Sequence, residues 1–382
     1  MKLIVNKKEI ERAVKNLCRV INPKNALPIL GDILCEVDEQ ERTMRMTASD
    51  SEIWLLHTIA LESAEGGGKF CVPATRLMDA LGELSEQPLT IIATTESDMK
   101  FTLQHSTGET FFPCENADEY PQSPELNDIS TLWMEPRELA TAITSTAWAT
   151  ASDDLRPVMT GVEFNFTKEQ ADITASDGHA LMLYRIKKDY GCEGSFIMPK
   201  KVAKMLPQML TMDEDEEVNV IWNDREAIFE QCDWTLTFRL IDGKYPNYES
   251  VIPKDQVYWS NLSRLGLLNS LRKVSPFTND SSNMVRLTFE REQLHLQAED
   301  YDFSTGATDR MYADCNVIDP LCIGFKASTL VAILSKMPYS DVVVHMSDHS
   351  RAVTIDEKPE EGKVCKTLGN IIGLAMPMML TE

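Results

Sequence analysis

The chain reads MTASDSEIWLL from Met46 to Leu56 and ITASDGHALML from Ile173 to Leu183. Thr-Ala-Ser-Asp therefore occurs twice, 127 residues apart, each time ahead of an apolar run. A tetrapeptide can recur by chance, so the flanks decide. KFCVPATRLMDALGEL starts at Lys69, SFIMPKKVAKMLPQML at Ser195 and LCIGFKASTLVAILSKM at Leu321. Each is a short β-type run, a break and a helical pattern, and the breaks at Pro73, Pro199 and Phe325 are 126 residues apart. Upstream, LPILGDILCEV, RPVMTGVEFNF and NMVRLTFER each lead into a strand pair ending in MTASD, ITASD or LQAED. Downstream, GETFFPCENADEYP matches LTFRLIDGKYPNYESVIP, with Pro121 and Pro246 separated by 125 residues. Independent landmarks agree on one period, the signature of internal duplication. We expect three copies of one domain, at 1–128, 129–256 and 257–382. The third is the most diverged and keeps only the acidic position of the turn.

Each copy opens with a strand and a helix: KLIVNKKEIERAVKNLCRVI, TLWMEPRELATAITSTAWATA and VYWSNLSRLGLLNSLRKVS. A second strand and helix follow in the middle. The remainder alternates apolar and polar residues between turn signals, as in DITASDGHALMLYRI, which reads as strand. Two helices and about eight strands per copy predict an α+β fold, with helices packed on antiparallel sheets. In that frame TASD ends one strand and turns into the next, and its Asp is expected to bind backbone N–H groups.

The length of 382 residues exceeds one ordinary core. Hydrophobic residues make up 43% and charged residues 25%, which suits a globular chain. No apolar run is long enough to span a bilayer, and MKLIVNKKEIERAV is too soon charged for a signal peptide. The nine cysteines form no CxxC pair and no ligand spacing with His, so neither zinc nor a disulfide framework is expected, nor any cofactor. Free thiols fit a reducing cytoplasm.

The net charge of −23 argues against gripping nucleic acid over the whole surface. The charge is unevenly spread. The six predicted helical segments carry a surplus of nine positive charges, which leaves −32 on the rest. Taken singly, an exposed helix face rich in Lys and Arg is ordinary. If the six share one surface, that surface is basic on an acidic body. The helices have no recognition-helix pattern, so contact would be with phosphates and not with base edges.

At this point the residues point to a family. LPILGDILCEV, VPATRLMDAL, TASDGHALML, RLIDGKYPNYESVIP, IGFKASTLVAIL and the terminal MPMML, in this order and spacing, resemble bacterial β sliding clamps, the processivity subunits of DNA polymerase III. The resemblance implies three clamp domains per chain and a head-to-tail homodimer closed into a ring. Its helices would line a hole and its sheets form the outside. It implies a non-catalytic protein that encircles double-stranded DNA without sequence specificity. Its partners would be the polymerase III catalytic subunit, the clamp loader and other proteins with clamp-binding motifs, in the cytoplasm and without a membrane.

The resemblance also implies sites. A partner-peptide pocket between domains 2 and 3 would be walled by Arg156 and Met159 of RPVMTG, and by Ser176, Gly178, His179 and Leu181 of TASDGHAL. Pro246 and Val251 of YPNYESV would join them, with Leu374, Met376, Pro377, Met378 and Leu380 from the tail. Read without the family, the tail is a final edge strand that fills the core. The family pattern has arginines where this chain has Ala180 and Met379, and one near Ser250, so the rim is expected to be less basic. DNA contacts would be Lys24 in NPKNALP, Arg76, Lys200 and Lys201. The two aromatic residues of some members are replaced by Pro157 and Val158. The dimer interface would be anchored by Phe111 or Phe112 and by Phe277.

Two other classes compete. Asp177 and His179 could be read as a catalytic pair, but no nucleophile elbow, phosphate loop or metal cluster accompanies them. EGGGKF, from Glu65 to Phe70, lacks the Lys-Ser ending of a phosphate loop and reads as a hairpin linker. A scaffold that never meets DNA would leave the helix charge unexplained.

Overall fold

The structure is a computed structural model that describes residues 1–22, 24–94, 99–153, 155–213, 215–357 and 369–380. The described residues hold six α-helices: α1 (Lys7–Leu17), α2 (Ala74–Gly82), α3 (Pro136–Thr146), α4 (Lys200–Met205), α5 (Arg264–Val274) and α6 (Ala327–Lys336). They also hold 26 strands, all paired antiparallel where paired. Two compact units result, one of Met1–Pro136 with Gln208–Leu240, the other of Arg137–Pro207 with Ile241–Glu382.

The first unit has a five-stranded and an eight-stranded sheet. The larger one runs across the repeat boundary, because Ile53–Ala60 pairs with Trp234–Arg239, Ile53 opposite Phe238. The second unit repeats this joint in a nine-stranded sheet. There Ala180–Ile186 pairs with Gly369–Ala375, Ala180 opposite Ala375. A four-stranded sheet completes it, ordered Thr305–Tyr312, Gln293–Asp300, Met284–Phe289, Leu321–Lys326.

The repeated Asp does in all three copies what its residue type predicts. Asp50 Oδ1 accepts from the N–H groups of Glu52 and Ile53 at 3.1 and 2.8 Å. Asp177 Oδ1 accepts from His179 and Ala180 at 2.8 Å each. Asp300 Oδ1 accepts from Asp302 and Phe303 at 3.0 and 3.4 Å. Each carboxylate thus satisfies donors that a tight strand reversal would leave unpaired.

The helices start where local chemistry lets them. Asn6 caps α1 by accepting from Lys8 N at 2.9 Å, with Glu9 in the first turn and Lys15 in the last. Ser263 caps α5 through Gly266 N at 3.3 Å. α2 and α4 begin right after Pro73 and Pro199. The third equivalent break falls at Lys326, one residue beyond Phe325, because Phe325 is a core residue of the strand at 2% exposure. With these bounds the six helices keep the surplus of nine positive charges. Part of it is paired: Lys7 with Glu11 and Arg12 with Asp233, each at 2.7 Å, and Lys273 with Asp309 at 2.9 Å.

Gly161 opens the strand Gly161–Phe166 opposite Pro199 and is buried. A Cβ there would lie 2.6 Å from Ile197 Cγ2 and from Met198 O. Gly161→Ala is therefore expected to destabilise the fold by about 1–3 kcal/mol, as overpacking does. A lowered urea midpoint is the readout. Gly31→Ala, with nothing within 4 Å of the added carbon, should leave that midpoint unchanged.

Candidate peptide-binding site

The joint in the second unit sets Leu181 opposite Leu374 and Leu183 opposite Ile372. Around them lies an apolar cluster of Leu181, Leu183, Ile197, Tyr245, Tyr248, Ala352 and Leu374. Val158, Ile241, Ile252 and Ile372 pack against it. The two tyrosines are held by their hydroxyls. Tyr245 Oη accepts from Ser176 N at 2.9 Å. Tyr248 Oη donates to Asp172 at 3.0 Å and accepts from Asn165 Nδ2 at 3.1 Å. Asp172 also takes a fork from Arg185 at 2.8 and 2.7 Å, and Arg185 reaches Glu249. Hydrogen bonding to Asp172 raises the Arg185 pKa further, so the guanidinium stays charged. An apolar floor on a fixed polar frame suits a site that must not collapse when empty.

The rim is built by the Asp177 turn. Gly178 has φ +88°, the left-handed region that favours glycine. Arg156 Nη2 donates to Asp177 O at 3.0 Å, and a Cβ on Gly178 would come within 2.7 Å of Arg156 Nη1. Glycine here admits both the turn and the arginine over it. The tail then crosses the site: Met376 N donates to His179 O at 2.9 Å, and Met378 N to Gly324 O at 2.8 Å. Met376 and Met379 are exposed, while Pro377, Met378 and Leu380 are half-buried. A cleft of about 280 Å³ opens beside it, lined by Met284, Arg286, Tyr301, Met378 and Met379 among others.

The structure thus brings Leu181, Leu374 and Ser176 to the floor, and Arg156, Gly178, His179 and Met376 to the rim. Met159 is buried outside the cluster, where its neighbour Val158 packs instead. Val251 is 53% exposed, and Ile252 makes the apolar contact. Pro246 is exposed between the two tyrosines. Tyr245, Tyr248 and Ile241 went unnamed in the sequence, though the Tyr-Pro-Asn-Tyr spacing carried the signal. The strand Gly369–Ala375 is paired on both sides and is therefore not an edge, and the tail beyond it leaves the sheet. Ala180 is buried, Ser250 donates its Oγ to Asn247 O, and Thr381 and Glu382 lie outside the described residues.

Asp177 spends its Oδ1 on backbone N–H groups, and the His179 ring is exposed. The pair therefore builds a turn and not a proton relay. Lys24 and Arg76 are exposed in the first unit. In the second, Lys200 is half-buried and donates to Thr150 O at 3.3 Å. Burial, then Lys204, lowers its pKa, and Asp177 opposes this. Lys201 beside it is also half-buried. Phe111 and Phe112 separate cleanly. Phe112 is 8% exposed and stacks on Phe101 at 5.0 Å, so it is core and not interface. Phe111 is 61% exposed with Lys100 Nζ 4.0 Å from its ring centre. Phe277 is 41% exposed.

Three family models match in chain order: DNA polymerase III beta subunit, N-terminal domain at 1–124, central domain at 134–247 and C-terminal domain at 249–368. A Synechocystis beta sliding clamp is 24% identical over 373 residues, covering 92% of this chain and 95% of that one. A Pseudomonas aeruginosa DNA polymerase III subunit beta superposes with a TM-score of 0.90 at 22% identity, with full coverage of both chains. A sliding clamp of the same organism bound to griselimycin gives 0.91 at 22% identity, again with full coverage.

One buried acid gives a pH test. Burial, and then the charge of Asp172, pushes Glu163 up to about 7. A carboxyl raised on folding contributes its stability below its unfolded pKa and loses it as pH rises through the folded one. Glu163→Gln should therefore raise the thermal midpoint over wild type at about pH 8 and add little at about pH 5. Equal gains at both pH values would contradict the assignment.

Proposed function

The chain belongs to the bacterial β sliding clamp family, the β subunits of DNA polymerase III, and on that footing we propose how it assembles and takes up partners. The family is the non-catalytic clamp of the polymerase, so the chain is a processivity factor and not itself an enzyme. DNA and the polymerase are its partners by membership. No helix among the described residues is long and apolar enough to cross a membrane.

In the proposed assembly, two chains of three repeats, with boundaries near 128 and 256, close head to tail into a ring. The observation that carries this is a pair of unlike open edges. Gly108–Pro113 ends the five-stranded sheet and Thr305–Tyr312 the four-stranded one. Both present exposed aromatic rings, Phe111 at 61% and Tyr312 at 75%. Unpaired edges invite association, and two different edges make a heterologous contact that can close a ring. Phe277 is the expected apolar anchor on the second side. The basic helices would then line the hole, with Lys24, Arg76, Lys200 and Lys201 near the phosphates. The floor around Leu181 and Leu374 would receive Leu and Phe side chains of short peptides from the polymerase catalytic subunit, the clamp loader and other carriers of such motifs. Met376 and Met378 suit a site that accepts several sequences. The expected setting is the cytoplasm.

Two measurements test this reading. Light scattering at micromolar concentration should give about twice the 43.1 kDa chain mass, and Phe277→Asp, which buries an unpaired charge at the closure, should give monomers. A monomeric wild type contradicts the ring. Separately, calorimetry with Gln-, Leu- and Phe-rich peptides should detect binding that Met376→Asp abolishes while the dimer persists. Unchanged affinity in that variant contradicts the pocket. A point change is preferred to tail removal, because Leu374 and Ala375 are buried in the sheet.

A further inference from the structure

The joint between repeats occurs twice, and the structure shows what the first copy leaves empty. We propose that the first unit holds a second docking groove, equivalent by repeat to the Leu181–Leu374 site, for an extended peptide with a bulky apolar side chain flanked by Lys or Arg.

The correspondence runs position by position. Trp54, opposite Thr237, stands where Leu181 faces Leu374. Leu56, opposite Thr235, stands where Leu183 faces Ile372. Tyr120 donates its hydroxyl to Thr47 O and Asp32 O at 3.3 Å each, braced against the sheet as Tyr245 is. The fillers differ. In the second unit Tyr248, Leu374 and Ile372 occupy the space between strands and linker. The first unit has Ser123, Thr237 and Thr235 at those positions. The exchange of large for small side chains coincides with a cavity of about 740 Å³, within the usual range of ligand sites. Leu34, Trp54, Leu56 and Tyr120 supply its apolar and aromatic lining.

The charge of the rim says what fits. The rim is acidic: Glu36, Asp118, Glu125 and Glu230 outnumber Arg45 and Lys69, and Lys69 is already paired with Glu36. Charge complementarity therefore favours basic flanks here.

The test uses full-length protein carrying Met376→Asp, which silences the second-unit site. The probe is a fluorescein-labelled nonapeptide, Lys-Arg-Gln-Leu-Gly-Phe-Gln-Lys-Arg, read by anisotropy. A counterpart with Glu at the four basic positions is the comparison. In the Met376→Asp protein the basic probe should still bind, and about tenfold or more tighter than the acidic probe. Ser123→Tyr, which restores the side chain of the second repeat, should weaken it about tenfold or more. Glu125→Lys with Glu230→Lys should weaken it comparably without lowering the thermal midpoint, and this pair decides the matter if Ser123→Tyr does not fold. No binding, equal binding of the two probes, or unchanged affinity in the charge-reversed protein overturns the proposal. So does a Ser123→Tyr protein whose oligomeric mass differs from wild type, since the occupant would then be a second copy of the chain. Loss of probe binding in Met376→Asp alone assigns the probe to the second-unit site and overturns it as well.

Discussion

Antiparallel backbone pairing between one repeat and the next is the constraint on which the rest of each unit depends. Ile53–Ala60 lies against Trp234–Arg239, and Ala180–Ile186 against Gly369–Ala375. Each ladder satisfies backbone groups that would otherwise form an open edge, and it merges two repeats into one sheet. The Asp turns at 50 and 177 set where the inner strand of each joint begins, because they fix the reversal immediately before it. The apolar floor around Leu181 and Leu374 is then a consequence of register. A slip of one residue would turn both side chains to the opposite face.

The charge distribution follows a second constraint. A chain at −23 repels a polyanion, yet its helices carry a positive surplus. Several of those cations are already paired or bonded internally, including Lys7, Arg12, Lys273 and Lys200. Few phosphates can therefore be neutralised, and attraction to a free duplex end must be weak and salt-sensitive. In the proposed ring, retention comes from closure around the duplex. A tethered polymerase then gains effective concentration at the primer end without any strong ion pair having to break as the ring moves.

Much of this was legible in the sequence, for physical reasons. The period near 126 survives because turns and helix starts need particular residues: Asp to bind N–H groups, Pro where a strand gives way to a helix. The α+β class followed from the alternation between those landmarks. What was not legible was sidedness. Phe111 and Phe112 are adjacent and equally apolar, and only the pairing of Lys100–His105 with Gly108–Pro113 puts Phe112 on Phe101 and leaves Phe111 outside. Val158 packs where Met159 was expected, and Ile252 where Val251 was, for the same reason. A short turn decides which of two neighbouring apolar residues faces the cluster. The first-unit cavity was hidden because it lies in what Ser123, Thr235 and Thr237 lack.

Retention on closed DNA tests the central claim most directly. Complexes loaded onto nicked circular duplex should stay together through gel filtration at salt that strips the protein from linear DNA. One restriction cut should release it from the ends. If the protein leaves intact circles as fast as cut ones, closure around the duplex is not what holds it, and the account fails.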